Sequence, residues 1–293
     1  MSLAFSGSIP ALVTPFHDDR VDVDAVHRLV DWHAREGSSA VVVGGTTGES
    51  PTLSDDELAL LVRTARDAAR GRLAVIAGAG SNVTAHAIAS SRIAEQAGAD
   101  ALLHVTGYYN KPSQRQVVEH FRAVAAATRL PILVYNIPSR TGQELSLDTM
   151  VALVQLETVA GVKDSTNDVA RVTRERGRIA GPFSFLTGND TNALGYRAHG
   201  GHGCISVTAN VAPSLCARMH ALADAGDMAG AGSIQDRLMP LHDALFIEPS
   251  PAGIKYAMAR LGLCREDLRA PLLPVEASTR AAIDDALAIA GLL

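Results

Sequence analysis

The chain has 293 residues, 47% hydrophobic and 19% charged, which suits one large barrel or two average domains with ample core. Its formal net charge of −5 excludes the basic face that a nucleic-acid backbone requires, and no stretch approaches the roughly 18 uninterrupted apolar residues of a membrane span. Three cysteines, Cys204, Cys216 and Cys264, are odd in number and far apart, which fits reduced thiols, and residues 1–14 lack a basic segment ahead of an apolar core, so a soluble, cytoplasmic protein is expected.

In chain order, short apolar runs at 8–14, 40–44, 73–77, 101–105, 131–136, 158–163, 183–187 and 203–207 recur at intervals near 30 residues. Each is too short for a helix and is bounded by glycine or polar residues, as a strand buried on both faces is. Helical patterns fill the intervals. Ser54 and Glu57 form a Ser-x-x-Glu capping box, and Ser146 and Asp190 stand as caps for later helices. Eight such units with no break in composition predict a (β/α)8 TIM barrel over residues 1–225. From about Pro213 the pattern is wholly helical, which predicts the last barrel helix and then a C-terminal helical extension over 226–293, about three helices packed on the barrel.

Residues that follow the strands of such a barrel share one face. Only three lysines occur, Lys111, Lys163 and Lys255, against 23 arginines, and Lys163 ends the apolar run that begins at Val159. A desolvated amine can lose its proton and attack a carbonyl carbon, whereas a guanidinium cannot. The other strand ends supply Thr46 and Thr47, Tyr108 and Tyr109, Tyr135 with Arg140, Gly188-Asn189-Asp190, and Ile205-Ser206. An amine, phenols, threonines and an arginine suit Schiff-base chemistry: lysine forms the imine, tyrosine and threonine move protons, and arginine grips a carboxylate. No metal or cofactor is called for, because the protonated imine is itself the electron sink. Taken singly, each residue has a plainer reading: Tyr135 as a core aromatic, Arg140 as a surface ion-pair partner, Thr46 and Thr47 as turn or cap residues.

Other chemistries lack their motifs. There is no Gly-x-x-x-x-Gly-Lys-Ser/Thr loop and no Gly-x-Ser-x-Gly elbow, and Gly78-Ala79-Gly80 lacks the third glycine of a dinucleotide fingerprint. His199 and His202 have no cysteine or carboxylate at ligand spacing. Asp18-Asp19 and Asp55-Asp56-Glu57 read as solvated charges, and the sequence assigns Lys255 no chemical role.

The segments GSIPALVTPF from Gly7, GGTTGES from Gly44, TGYYNKPSQ from Thr106 and YNIPSRTG from Tyr135 are specific in combination. GVKDST from Gly161, LTGND from Leu186, GGHGCISVTANVAP from Gly200 and QDRLMPLHDALFIEPSP from Gln235 continue them. Together, over essentially the whole chain, they resemble the dihydrodipicolinate synthases of the pyruvate-dependent aldolase superfamily. The resemblance implies condensation of pyruvate with L-aspartate 4-semialdehyde to 4-hydroxy-tetrahydrodipicolinate, on the route to diaminopimelate and lysine. It implies Lys163 as the Schiff-base lysine and Tyr135 as the proton-transferring tyrosine, linked through Thr46 to Tyr109 of a neighbouring subunit. Thr47 would bind the pyruvate carboxylate, Arg140 the semialdehyde carboxylate, and Gly188 and Ile205 would offer backbone contacts. The family's usual assembly is a homotetramer built as a dimer of dimers.

The alternative is a sibling aldolase or lyase acting on a keto-deoxy sugar acid or sialic acid. Such siblings share the lysine and tyrosine but typically lack arginine at the position of Arg140. A barrel that binds a keto acid without turnover is disfavoured by the complete Lys/Tyr/Thr/Tyr set. Gly107 and Ala252-Gly253 depart from commoner proline-containing patterns. The positions that match the family's lysine-effector pocket hold Ser50, Asp55, Leu58, Asn82, His86 and Tyr108. His86 replaces a glutamate that would neutralise an ammonium, and Leu58 cannot hydrogen-bond, so weak or absent inhibition by lysine is expected.

Overall fold

The computed structural model describes residues 5–293. Eight strands form one parallel sheet: β1 (Gly7–Pro10), β2 (Ala40–Val43), β3 (Ala74–Gly78), β4 (Ala101–Val105), β5 (Ile132–Asn136), β6 (Val159–Asp164), β7 (Ser184–Thr187) and β8 (Gly203–Ser206). Neighbours pair in the order β1-β8-β7-β6-β5-β4-β3-β2. A single parallel bridge between Ala11 and Val42 closes the ring, with the Leu12 amide donating to the Val42 carbonyl at 2.9 Å.

The helices between strands are α1 (Val23–Arg35), α2 (Asp55–Ala69), α3 (Thr84–Gln96), α4 (Gln114–Ala125), the single turn α5 (Pro138–Thr141), α6 (Leu147–Val154), α7 (Arg171–Arg176) and α8 (Ala193–Ala198). After β8 come α9 (Pro213–Asp224), α10 (Met228–Ala244), α11 (Ala252–Arg260) and α12 (Ala277–Ile289). No described helix is long and apolar enough to cross a membrane.

Seven of the predicted strands lie within a residue of their expected ends. The first is shorter than the run 8–14, because beyond the bridge at Ala11 the chain leaves the sheet for a two-stranded ribbon, Phe16–His17 with Arg20–Val21. Asp18 and Asp19 make its tight turn with φ of 50° and 58°, the left-handed values that a two-residue hairpin demands and that aspartate tolerates.

Alternation along the strands divides the apolar residues into two layers. Ile9, Val42, Ile76, Leu103, Leu133, Leu186 and Ile205 fill the barrel interior, while their neighbours pack outward against the helices. Two of the expected caps hold: the Ser54–Glu57 box is reciprocal, and Ser146 accepts from the Thr149 amide at 3.1 Å. Asp190 caps nothing of its own helix. Its buried carboxylate accepts from the Ser206 hydroxyl and from the amides of Val207 (2.9 Å) and Thr208 (3.2 Å), binding the end of β7 to the end of β8.

The charges read as solvated are partly engaged. Arg269, in the segment between α11 and α12, donates to Glu57 Oε1 at 2.6 Å, to Glu57 Oε2 at 2.9 Å and to Asp19 Oδ1 at 2.8 Å. Long-range tertiary packing placed a cation there, which no local pattern announces.

Candidate active site

The site is built by register. Tyr135 on β5 pairs with Lys163 on β6, so two adjacent strand ends present a phenol and an amine side by side. Lys163 is buried, and its Nζ lies 4.1 Å from the centroid of the Tyr135 ring. Behind it, a Cβ at Gly188 would lie 2.6 Å from Lys163 Cε, so only glycine lets the β7 end approach the lysine stem this closely.

These residues line a cavity of about 610 Å³ together with Thr46, Thr47 and Arg140. Ser165, Thr166 and Asn189 complete the rim, and the extension reaches it through His242, Asp243 and Phe246. The space therefore holds an amine, hydroxyls, a phenol and a guanidinium around a volume in the range of small-molecule sites. Six of the eight residues singled out from the sequence meet here. Ile205 sits on β8 with its side chain inside the barrel core, below the lining. Tyr109 is apart: it is 91% exposed, in the left-handed region with φ of 67°, and outside the cavity of its own chain.

Ser50, Asp55, Leu58 and Tyr108 line a second cavity of about 300 Å³, which shares Thr46, Ile137 and Arg140 with the first. Asn82 and His86 stand outside its lining; the Asn82 carbonyl accepts from Asn110 Nδ2 at 2.9 Å. At Gly107 a Cβ would lie 2.7 Å from the Pro112 ring, so the glycine makes room for the loop that carries Tyr108 and Tyr109. The histidines of the glycine-rich turn have local partners. His202 Nδ1 accepts from the Phe185 amide at 3.0 Å, and His199 Nδ1 faces Thr173 Oγ1 at 3.1 Å.

Sequence reasoning missed the polar cluster behind Lys163. Asp164 is buried and accepts from Thr166 Oγ1 at 2.8 Å and from Asn136 Nδ2 at 3.1 Å. Arg171 Nε lies 3.7 Å from Asp164 and donates to Glu175 at 2.9 Å, while its Nη1 donates to Glu144 at 2.5 Å. The Arg171–Glu175 spacing of one helical turn was a readable signal; their burial was not. Burial pushes the Asp164 carboxyl up to about 6 against the lowering pull of Thr166 and Arg171. Burial likewise pushes Glu175 up to about 7, against the pull of Arg171.

Both carboxyls thus hold protons more tightly when folded, at about 6 and about 7, than at their ordinary 3.8 and 4.5. Across roughly pH 4 to 7 the folded chain binds more protons than the unfolded one, so these groups make stability fall as pH rises. Glu175→Gln removes one of the two titrations. Urea unfolding in pH steps is expected to show a shallower fall over that window than the parent chain, and an unchanged slope would refute the assignment.

The dihydrodipicolinate synthetase family model matches residues 4–290. The 4-hydroxy-tetrahydrodipicolinate synthase of Ruegeria pomeroyi is 53% identical over 289 residues, spanning 99% of this chain and 100% of that protein. That of Rhizobium meliloti is 54% identical over 290 residues, spanning 99% of each. The crystal structure of dihydrodipicolinate synthase from Aquifex aeolicus superposes with a TM-score of 0.96 at 40% identity, covering 98% of this chain and 99% of that one. The chloride-inhibited enzyme from Acinetobacter baumannii, complexed with pyruvate, gives 0.95 at 39% identity with the same coverage. The chain, an eight-stranded parallel barrel with a lysine and a tyrosine paired at its rim, belongs to the dihydrodipicolinate synthetase family.

Proposed function

We propose that this enzyme, a lyase, condenses pyruvate with L-aspartate 4-semialdehyde to give 4-hydroxy-tetrahydrodipicolinate. The observation that carries the reading is the buried Lys163 amine against Tyr135, facing a cavity that also holds Thr47 and Arg140. The relatives named as 4-hydroxy-tetrahydrodipicolinate synthases support it, and the sugar-acid alternative is not favoured.

The Lys163 amine attacks C2 of pyruvate, and the carbinolamine loses water to form an imine, with Tyr135 delivering and removing protons. The imine nitrogen draws electrons from C3, which gives up a proton to leave an enamine. C3 then attacks the semialdehyde carbonyl carbon. The amino group of the new adduct adds to C2 and expels Lys163, closing the six-membered ring and restoring the amine. Thr47 binds the pyruvate carboxylate, and Arg140 at the cavity mouth receives that of the semialdehyde. Gly188 and Ile205 border the bound pyruvate through their backbone. No metal or further cofactor enters these steps.

The exposure of Tyr109 supports a shared site, in which it enters the cavity of a neighbouring subunit and meets Tyr135 through Thr46. A homotetramer made of two such dimers is the assembly proposed, working in the cytoplasm. A structural relative described as the first monomeric dihydrodipicolinate synthase variant, at a TM-score of 0.96 and 35% identity, indicates that the oligomer is the usual form in the family.

Borohydride reduction with pyruvate should fix a pyruvyl adduct on the Lys163 peptide. Lys163→Ala and Lys163→Arg should both abolish it, and Tyr135→Phe should slow turnover on the order of 10²–10⁴-fold, as for other acid–base groups. An unmodified Lys163 peptide in the parent chain would sink the mechanism. Arg140→Ala should raise the semialdehyde KM far more than the pyruvate KM, and steady-state kinetics showing equal effects would refute the assigned role. Lysine at sub-millimolar concentration should leave activity essentially unchanged, since Leu58 and the exposed His86 offer an ammonium no counter-charge; clear inhibition would contradict this.

A further inference from the structure

The remaining buried lysine takes no part in the proposed reaction, yet its surroundings lead back to the site. The side chains of Lys255 on α11 and Glu49 are both 0% exposed, and Lys255 Nζ lies 2.5 Å from Glu49 Oε1. Nζ also donates to the Asp267 carbonyl at 2.6 Å, so the ammonium is held between that carbonyl and the carboxylate. It also lies 4.2 Å from the centroid of the Phe16 ring. The other oxygen of Glu49 accepts from the Arg269 amide at 2.9 Å. Three residues of the C-terminal extension therefore converge on one carboxylate or its counter-ion.

Stripping two opposite charges of water costs so much that a buried pair is no more stabilising than apolar residues of equal volume. Its retention here points to placement. Glu49 has φ of 57° and ψ of 38°, a left-handed conformation that a residue with a side chain keeps only when its surroundings impose it. It lies in the loop 44–50, two residues after Thr47. The Glu49 amide donates to the Thr46 carbonyl at 3.1 Å, and Thr14 Oγ1 holds the Gly48 carbonyl at 2.7 Å. A Cβ at Gly48 would lie 3.1 Å from both the Leu12 carbonyl and Thr14 Oγ1, so the loop has little room to shift without losing its seat. At the other end, Gly253 lets α11 approach α10, where a Cβ would lie 2.7 Å from the Leu245 carbonyl.

We propose that the Glu49–Lys255 pair is a positioning device, through which the C-terminal extension sets Thr46 and Thr47 for the carboxylate of the keto-acid substrate. It rests on reading the cavity as the pyruvate site. Neither residue touches the substrate. Each acts through the loop.

Glu49→Gln keeps the side-chain shape and removes its charge, and Glu49→Gln/Lys255→Met removes both buried charges in case the single variant folds poorly. In both, the pyruvate KM should rise roughly ten- to a hundredfold, while the semialdehyde KM stays within about twofold of the parent. Amide hydrogen exchange at Gly48, Glu49 and Ser50, measured without substrate, should accelerate. A folded double variant with unchanged pyruvate KM, an equal rise in both KM values, or unchanged exchange in this loop would each overturn the proposal. A parent chain that traps no pyruvate under borohydride would instead overturn the functional reading, and the exchange rates would still decide whether the pair holds the loop.

Discussion

The parallel register between β5 and β6 is the constraint from which the site follows. Pairing Tyr135 with Lys163 places a phenol beside an amine with no further adjustment, because both side chains leave adjacent strands at the same height. A slip of one residue in either strand would turn that strand's side chain to the opposite face. The closed ring then brings Thr46, Thr47, Arg140 and Gly188 from other strand ends to the same rim. Closure itself hangs on a narrow contact, the bridge between Ala11 and Val42, so the GTTGES loop that follows β2 lies next to the barrel's seam.

Polar burial around this rim is dense and mostly paired. Asp190 ties β7 to β8, and Asp164 ties β5 to β6 through Asn136. Arg171 gathers Asp164, Glu175 and Glu144, and reaches the Leu145 carbonyl at 2.7 Å. Such groups are costly to desolvate and specific in direction, so they fix where strand ends and loops sit more than they add to stability. The Asp164 carbonyl accepts from the Gly188 amide at 2.7 Å, which joins this network to the glycine that lies against Lys163.

Two cavities meet at Thr46, Ile137 and Arg140. The lining of the candidate cavity therefore continues into that of the cavity beside Tyr108. The C-terminal helices complete the arrangement on the opposite side. Phe246 lines the candidate cavity directly, while Lys255 and the Arg269 amide meet the Glu49 carboxylate in the threonine loop, and both side chains pack on the Phe16 ring, at 4.2 Å and 4.3 Å from its centroid.

The barrel was legible because its signals are local: strand runs buried on both faces, one capping box, and spacing that repeats with each βα unit. The lysine, tyrosine, threonines and arginine were legible for the same reason, since strand ends in a closed parallel barrel share a face whatever the details of packing. What tertiary structure alone decided was the partner of each buried charge. Asp190 looked like a cap and became a brace, Glu57 looked solvated and met Arg269, and Lys255 looked idle and met Glu49 across more than two hundred residues. Composition and periodicity determine which face a residue takes. Only the folded chain brings distant segments close enough for a desolvated charge to find its counter-charge, and that encounter leaves no pattern in the sequence.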